Sequence, residues 1–163
     1  MAHSKKPKLA VKPRDMEIAT GGSPNIREIS CGEPPESFYQ KHPSWNFHSC
    51  DTGQWSFTKE NVGDEFWKDI LPKLKGWETM TWQQILVADK KYNHSIDVET
   101  LNKVARDRLE QLEIETQDIV SLRFMGQHRL YGYMDGSVFN LLWFDNEHGD
   151  NDYCVCRSNQ KHT

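Results

Sequence analysis

The apolar positions of this 163-residue chain change their spacing twice, and each change marks a boundary. Residues 1–37 show no apolar period and hold five of the seven prolines together with Gly and Ser, which predicts an arm without regular structure. From Phe38 onward aromatic residues gather. Trp45 and Phe47, then Trp55 and Phe57, each alternate with one small polar residue, the period-two pattern of strands. Asp51-Thr52-Gly53 between them predicts the turn of an edge hairpin. The middle third has helical spacing: Phe66, Ile70, Leu71 and Leu74 share one face, and Pro72 is expected to kink or end that segment because it lacks an amide hydrogen. Thr81-Trp82-Gln83-Gln84 has capping-box form ahead of a short stripe of Trp82, Ile85 and Leu86. Asp97 predicts the N-cap of a helix that buries Val98, Leu101, Ala105, Leu109 and Leu112 and leaves Lys103, Arg106, Asp107, Arg108 and Glu110 largely outside.

After Leu112 the spacing turns to strands at 119–125, 128–134 and 137–144, with Asp135-Gly136 as a hairpin signal between the last two. The predicted architecture is α+β, with helices packed on one face of a small antiparallel sheet and an extra aromatic N-terminal hairpin, in a single domain over 38–163. A two-residue turn at Asp135-Gly136 sets Tyr133 against Val138, Tyr131 against Asn140 and Arg129 against Leu142. Arg129, Tyr131, Tyr133 and Asn140 then share an open face, while Leu130, Gly132, Phe139, Leu141 and Trp143 face the helices. Arg123 joins the open face only if the loop at Gly126 has an odd number of residues, for example Gly126-Gln127-His128. The odd loop is expected, since an unpaired guanidinium in the core is expensive.

Composition narrows the functional classes. A net charge of −4 offers no global attraction for nucleic acid or membrane, so any such binding must be local. The first fourteen residues carry Lys5, Lys6, Lys8, Lys12 and Arg14 without an acid, either a solvated arm or one that grips phosphates or an acidic partner. With no signal peptide and no long apolar run, the four cysteines read as reduced thiols of a cytoplasmic protein without membrane contact. Cys154-Val155-Cys156, near His148, Asp150, Asp152 and His162, forms no tetrahedral cage by itself, so partial burial is expected there and no metal. No GxGxxG, GxxxxGK[ST] or HExxH occurs, and no cofactor is expected.

Ser121-Leu122-Arg123-Phe124-Met125-Gly126, followed by His128-Arg129-Leu130-Tyr131-Gly132-Tyr133 and an apolar last strand, resembles the RelE/ParE superfamily of bacterial toxins. Its sharp part runs over residues 122–143, and the element layout is similar over about 60–163. The passages His42-Pro43-Ser44-Trp45 and Lys161-His162-Thr163 also resemble bacterial or prophage proteins. The resemblance implies a toxin component held by a small antitoxin protein: a metal-independent mRNA endonuclease working with ribosomes or, in the ParE branch, a gyrase inhibitor. It implies Arg129, then Arg123, as the phosphate-stabilising cations, with His162 or Lys161 at the family's C-terminal position. His148 is a further acid or base because imidazole titrates near neutrality. Tyr131 and Tyr133, with Asn140, would bind the substrate, or the tyrosines are half-buried strand residues. A non-catalytic protein-binding module of a phage or mobile element is the reading from another class.

Overall fold

A computed structural model describes residues 38–149 and 154–156. The predicted arm at 1–37, Lys161 and His162 lie outside the described residues. Five strands form one sheet: β1 Ser44–Asn46, β2 His94–Asp97, β3 Asp118–Arg123, β4 Arg129–Asp135 and β5 Val138–Asp145, in the spatial order β1-β5-β4-β3-β2. The α+β class holds, but the sheet is mixed, because β1 runs parallel to β5 while the other pairs are antiparallel.

The N-terminal hairpin is not formed. Trp45 sits beside Phe139 across the parallel pair, and its ring packs against Trp77, Trp82 and Phe139. The second aromatic pair belongs to a loop instead. Trp55 there has a left-handed backbone (φ 43°), is buried, and packs on Trp143 at 5.2 Å between ring centroids. The period-two pattern therefore reflected two anchors in different layers.

The helical segments are short. α1 spans Lys59–Val62, α2 spans Leu71–Trp77 and α3 spans Lys103–Gln111. Pro72 does not end its helix. It lies in the first turn of α2, directly after a π-helical turn at Phe66–Ile70, where the wider hydrogen-bonding pattern accommodates a residue without an amide hydrogen. The capping box forms, with the Thr81 amide donating to Gln84 Oε1 (2.9 Å) and the Gln84 amide to Thr81 Oγ1 (3.4 Å), and leads into a π-helical segment Gln83–Ala88. Asp97 caps only the short 3-10 turn Val98–Thr100, and Asn102 caps α3.

Both faces of the sheet are covered, where one was expected. One face carries Val120, Leu122, Leu130, Phe139, Leu141 and Phe144, packed on Ile70, Leu74, Trp77, Trp82 and Ile85. The other carries Ile119, Tyr131, Leu142 and Trp143, covered by Ala105 and Leu109 of α3, Trp55, Leu101 and Val155. The reason lies in β5. Its turn falls at Gly136-Ser137, one residue beyond the expected pair, so Asp135 faces Val138 and Tyr133 faces Asn140. A bulge then inserts Leu142, so Tyr131 meets Trp143 and Arg129 meets Asp145. Trp143 thereby joins the second face, and Phe144 joins the first. Gly132 permits this close passage: a Cβ there would lie 2.3 Å from the Asn140 carbonyl oxygen and 2.6 Å from the Phe139 ring.

α3 is fixed by an ion pair whose carboxylate is buried. Arg108, expected outside, reaches Asp51 with two parallel bonds of 2.7 Å, from Nε to Oδ2 and from Nη2 to Oδ1. Asp51 also accepts from the Gly53 amide and the Trp143 indole, and its side chain is fully buried. Burial pushes its carboxyl upward, but the hydrogen bonds from Arg108, Gly53 and Trp143 outweigh it and hold the group below its ordinary value.

Two stability changes follow. Asp51→Ala should lower unfolding free energy by about 3 kcal/mol in denaturant titrations, since it strands a guanidinium and an indole N–H together. The native Asp51 contribution is fully present above the ordinary carboxylate range and fades as pH falls through the depressed native value, so Asp51→Asn should flatten the acid limb of a stability–pH profile. Gly132→Ala should cost about 1–3 kcal/mol, because the new methyl group meets backbone and an immobilised ring.

Candidate functional site

At one end of the second face, beyond the reach of α3, the sheet gathers cations. Arg123 and Arg129 are directly opposite each other on β3 and β4. The loop between these strands is closed by Phe124 N–H to His128 O and His128 N–H to Met125 O, both 3.0 Å, which leaves three residues, 125–127, at its tip. Gly126 at φ +58° supplies the left-handed residue of this turn. The odd count expected from the sequence is therefore observed, one residue earlier than in the example given, and both arginines are half-buried on the Tyr131 side.

Each guanidinium is held without a carboxylate. Arg129 Nη1 donates to Gly126 O (3.2 Å) and His128 O (2.9 Å), and the Arg123 guanidinium lies 4.8 Å from the centroid of the Tyr92 ring. Among the described residues neither forms an ion pair. Asp145 stands opposite Arg129 in register, but its buried carboxylate accepts from the Glu147 amide (3.0 Å) and the Val155 amide (3.4 Å) instead. Burial raises this carboxyl to about 6. Burial, then the charge of Arg123, lowers the pKa of Arg129.

A lysine and a histidine extend the cluster. Lys73 of α2 donates to the Arg123 carbonyl and sits over the Trp77 and Phe124 rings. Its ammonium is shifted down, first by burial and further by the charges of Arg123 and Arg129, against a countering pull from Asp69. His94 of β2 pairs with Ser121, and its imidazole is shifted down by burial, then by Arg129 and His148. An open cleft of about 300 Å³ runs along this edge, lined by Lys73, Trp77, Asp89, Tyr92, Asn93, Arg123 and Phe124. Asn93 orders its floor by accepting the Arg123 amide and donating to Ile85 O.

Behind the arginines lies a sulfur-rich cluster. The Tyr131 hydroxyl is 3.0 Å from His148 Nδ1 and 3.3 Å from Cys156 Sγ, while Cys154 Sγ is 3.3 Å from His148 Nδ1. One ligand atom from each of His148, Cys154 and Cys156 lies within 4.8 Å of the others, a grouping able to hold a metal ion. The hydrogen bond from the Cys156 thiol pulls the Cys154 thiol down, against burial and with help from His148 and the Gly149 amide. Cys156 moves up as its partner moves down.

The residues expected at the site therefore divide. Arg123, Arg129 and His148 gather at one end. Tyr131 does not face an open surface: it is fully buried under α3, with its phenol pushed far above the ordinary range by burial. Tyr133 and Asn140 pair with each other further along the strands, away from Arg129. Tyr133 meets Ser49 Oγ at 3.1 Å, and buried Asn140 accepts from Asn46 Nδ2 at 2.7 Å. Lys161 and His162 lie outside the described residues. Sequence patterning passed over Lys73, Tyr92, Asn93 and His94, because His94-Ser95-Ile96-Asp97 has a single apolar residue and gives no strand signal.

No protein-family model, curated protein or solved structure matches this chain.

Two like charges directly opposite across a sheet repel. A double-mutant cycle of Arg123→Gln and Arg129→Gln, read by denaturant unfolding, should give an unfavourable coupling of about 0.2–1 kcal/mol at low ionic strength. The coupling should shrink as salt approaches ~1 M. An attractive or salt-independent coupling would contradict this picture of the pair.

Proposed function

We propose that the chain is a RelE-like toxin component that cleaves mRNA without a catalytic metal, using the cationic end of its sheet. The observation that carries the reading is the Arg123–Arg129 pair: two adjacent guanidiniums, half-buried, neither ion-paired with a carboxylate among the described residues. Such a pair costs stability unless an anion joins it, and a phosphodiester with its two non-bridging oxygens matches the fork of donors that arginine offers. The similarity of residues 122–143 to RelE/ParE strands supports the same end of the molecule as the reactive one.

Transesterification of RNA needs a base for the 2′-hydroxyl, cations for the charge that grows on the phosphate, and an acid for the departing 5′-oxygen. In this reading Arg129 and Arg123 take the phosphate. His94 is the base, since burial and the charge of Arg129 shift its imidazole toward the neutral form. Lys73 is the acid, since burial and its cationic neighbours favour release of its proton. Tyr92 and Asn93, which line a cleft with Lys73 and Arg123, offer a ring face and an amide to a flanking base. A small antitoxin would silence the protein by placing carboxylates against the two arginines.

The test is induced expression in bacteria together with mapping of mRNA ends. Wild-type protein should arrest growth and generate new 5′ ends. Arg129→Ala should reduce cleavage by about 10²-fold or more, the typical loss when one preorganised donor to a developing charge is removed, and it should relieve the arrest. Full toxicity of Arg129→Ala would sink the assigned mechanism. Absence of cleavage with and without ribosomes would leave the protein-binding reading in its place.

A further inference from the structure

We infer that His148, Cys154 and Cys156 form a zinc site that anchors the C-terminal segment to the sheet. The inference does not depend on the nuclease reading, which assigns none of these three residues a step. Donor type comes first. Two thiols and an imidazole are zinc ligands, three of the four that a tetrahedral site takes, and sulfur donors disfavour magnesium or calcium. With Zn–S of about 2.3 Å and Zn–N of about 2.0–2.1 Å, the corners of a tetrahedral site stand roughly 3.5–3.8 Å apart. Cys154 Sγ and His148 Nδ1 are separated by 3.3 Å, and all three donor atoms fall within 4.8 Å of one another. Small side-chain adjustments therefore suffice to close on an ion. The Tyr131 hydroxyl, 3.0 Å from Nδ1 and 3.3 Å from Cys156 Sγ, lies beside two of the three donors.

Placement supplies the second argument. Strand alternation alone puts two thiols of a Cys-Val-Cys run on one side and leaves them without a cage. Here the run is positioned by other contacts: Cys156 bridges to Leu101, the Asn102 amide donates to Val155 O, and Val155 is buried in the second core. This holds both sulfurs against the His148 ring, which follows the end of β5. Two thiolates, a neutral imidazole and Zn²⁺ sum to zero charge, which suits a largely buried position behind Arg129.

The test uses the full chain, purified under reducing conditions and desalted. Zinc analysis should give one ion per chain. Titration with Co²⁺ should give visible d–d bands and a near-ultraviolet thiolate-to-metal band of the kind tetrahedral sulfur sites show. Cys154→Ser and Cys156→Ser should each weaken zinc binding by at least 10²-fold, whereas Cys50→Ser should leave it unchanged. His148→Cys should retain cobalt binding with a stronger thiolate band, a result that a merely destabilised variant would not produce. Added zinc should raise the melting temperature of wild-type protein and not of Cys154→Ser. A metal-free wild-type chain with no cobalt bands, equal binding by Cys154→Ser, or a Cys154–Cys156 disulfide that persists in reducing, zinc-replete buffer would each overturn the inference.

Discussion

The fork between Asp51 and Arg108 holds the second layer of this protein in place. A single carboxylate, fully enclosed, receives a guanidinium from α3, an indole N–H from β5 and an amide from its own loop. Three chain segments distant in sequence thus meet at one charge. Their apolar contacts then follow: Trp55 on Trp143, and Ala105 and Leu109 over Leu142 and Tyr131. Because α3 is pinned over Tyr131 and Leu142, the end bearing Arg123, Arg129 and His94 lies beyond its apolar contacts among the described residues. The candidate site owes its position to a pair that takes no part in its chemistry.

The electrostatics of that end show how an acidic chain can carry a cationic surface. Net charge says little about local potential when acids are turned away from it. Asp145 is the nearest example, engaged with two amides although it stands beside Arg129 in register. Asp69, near Lys73, is partly taken up by the Met125 amide. The arginines are in turn oriented by carbonyls and a ring, groups that direct a guanidinium without cancelling its charge.

Much of this was readable in the residues, and the limits have physical causes. The meander, the capping box at Thr81 and Gln84, and the shared side of Arg123 and Arg129 are local matters, settled by turn chemistry and by the cost of burying a bare guanidinium. The parallel partner of Trp45 is set by packing against residues more than ninety positions away, which no window of neighbours contains. The bulge at Leu142 depends on the missing side chain of Gly132 in the adjoining strand, and it moves Trp143 to the other face. Arg108 sits at a helix position that reads as solvent-facing, and only the loop carrying Asp51 draws it inward. The sulfur cluster is similar: spacing gave the two cysteines but not the histidine that the end of β5 brings to them.

The parallel pairing of β1 with β5 bears on how the molecule comes into being. Trp45 is made early and its partner Phe139 late, so the edge of the sheet cannot close until nearly all the described chain has left the ribosome. Ordering so distant a contact carries a loop-closure penalty and slows the final step. Until then the rings of Trp45 and Trp82 lack the Phe139 face on which they pack. A nascent chain of this kind would expose a sticky aromatic patch for most of its synthesis, the kind of surface that chaperones hold. The arginine hairpin, by contrast, is a local contact made just before β5, so its two charges meet before the sheet that displays them is complete.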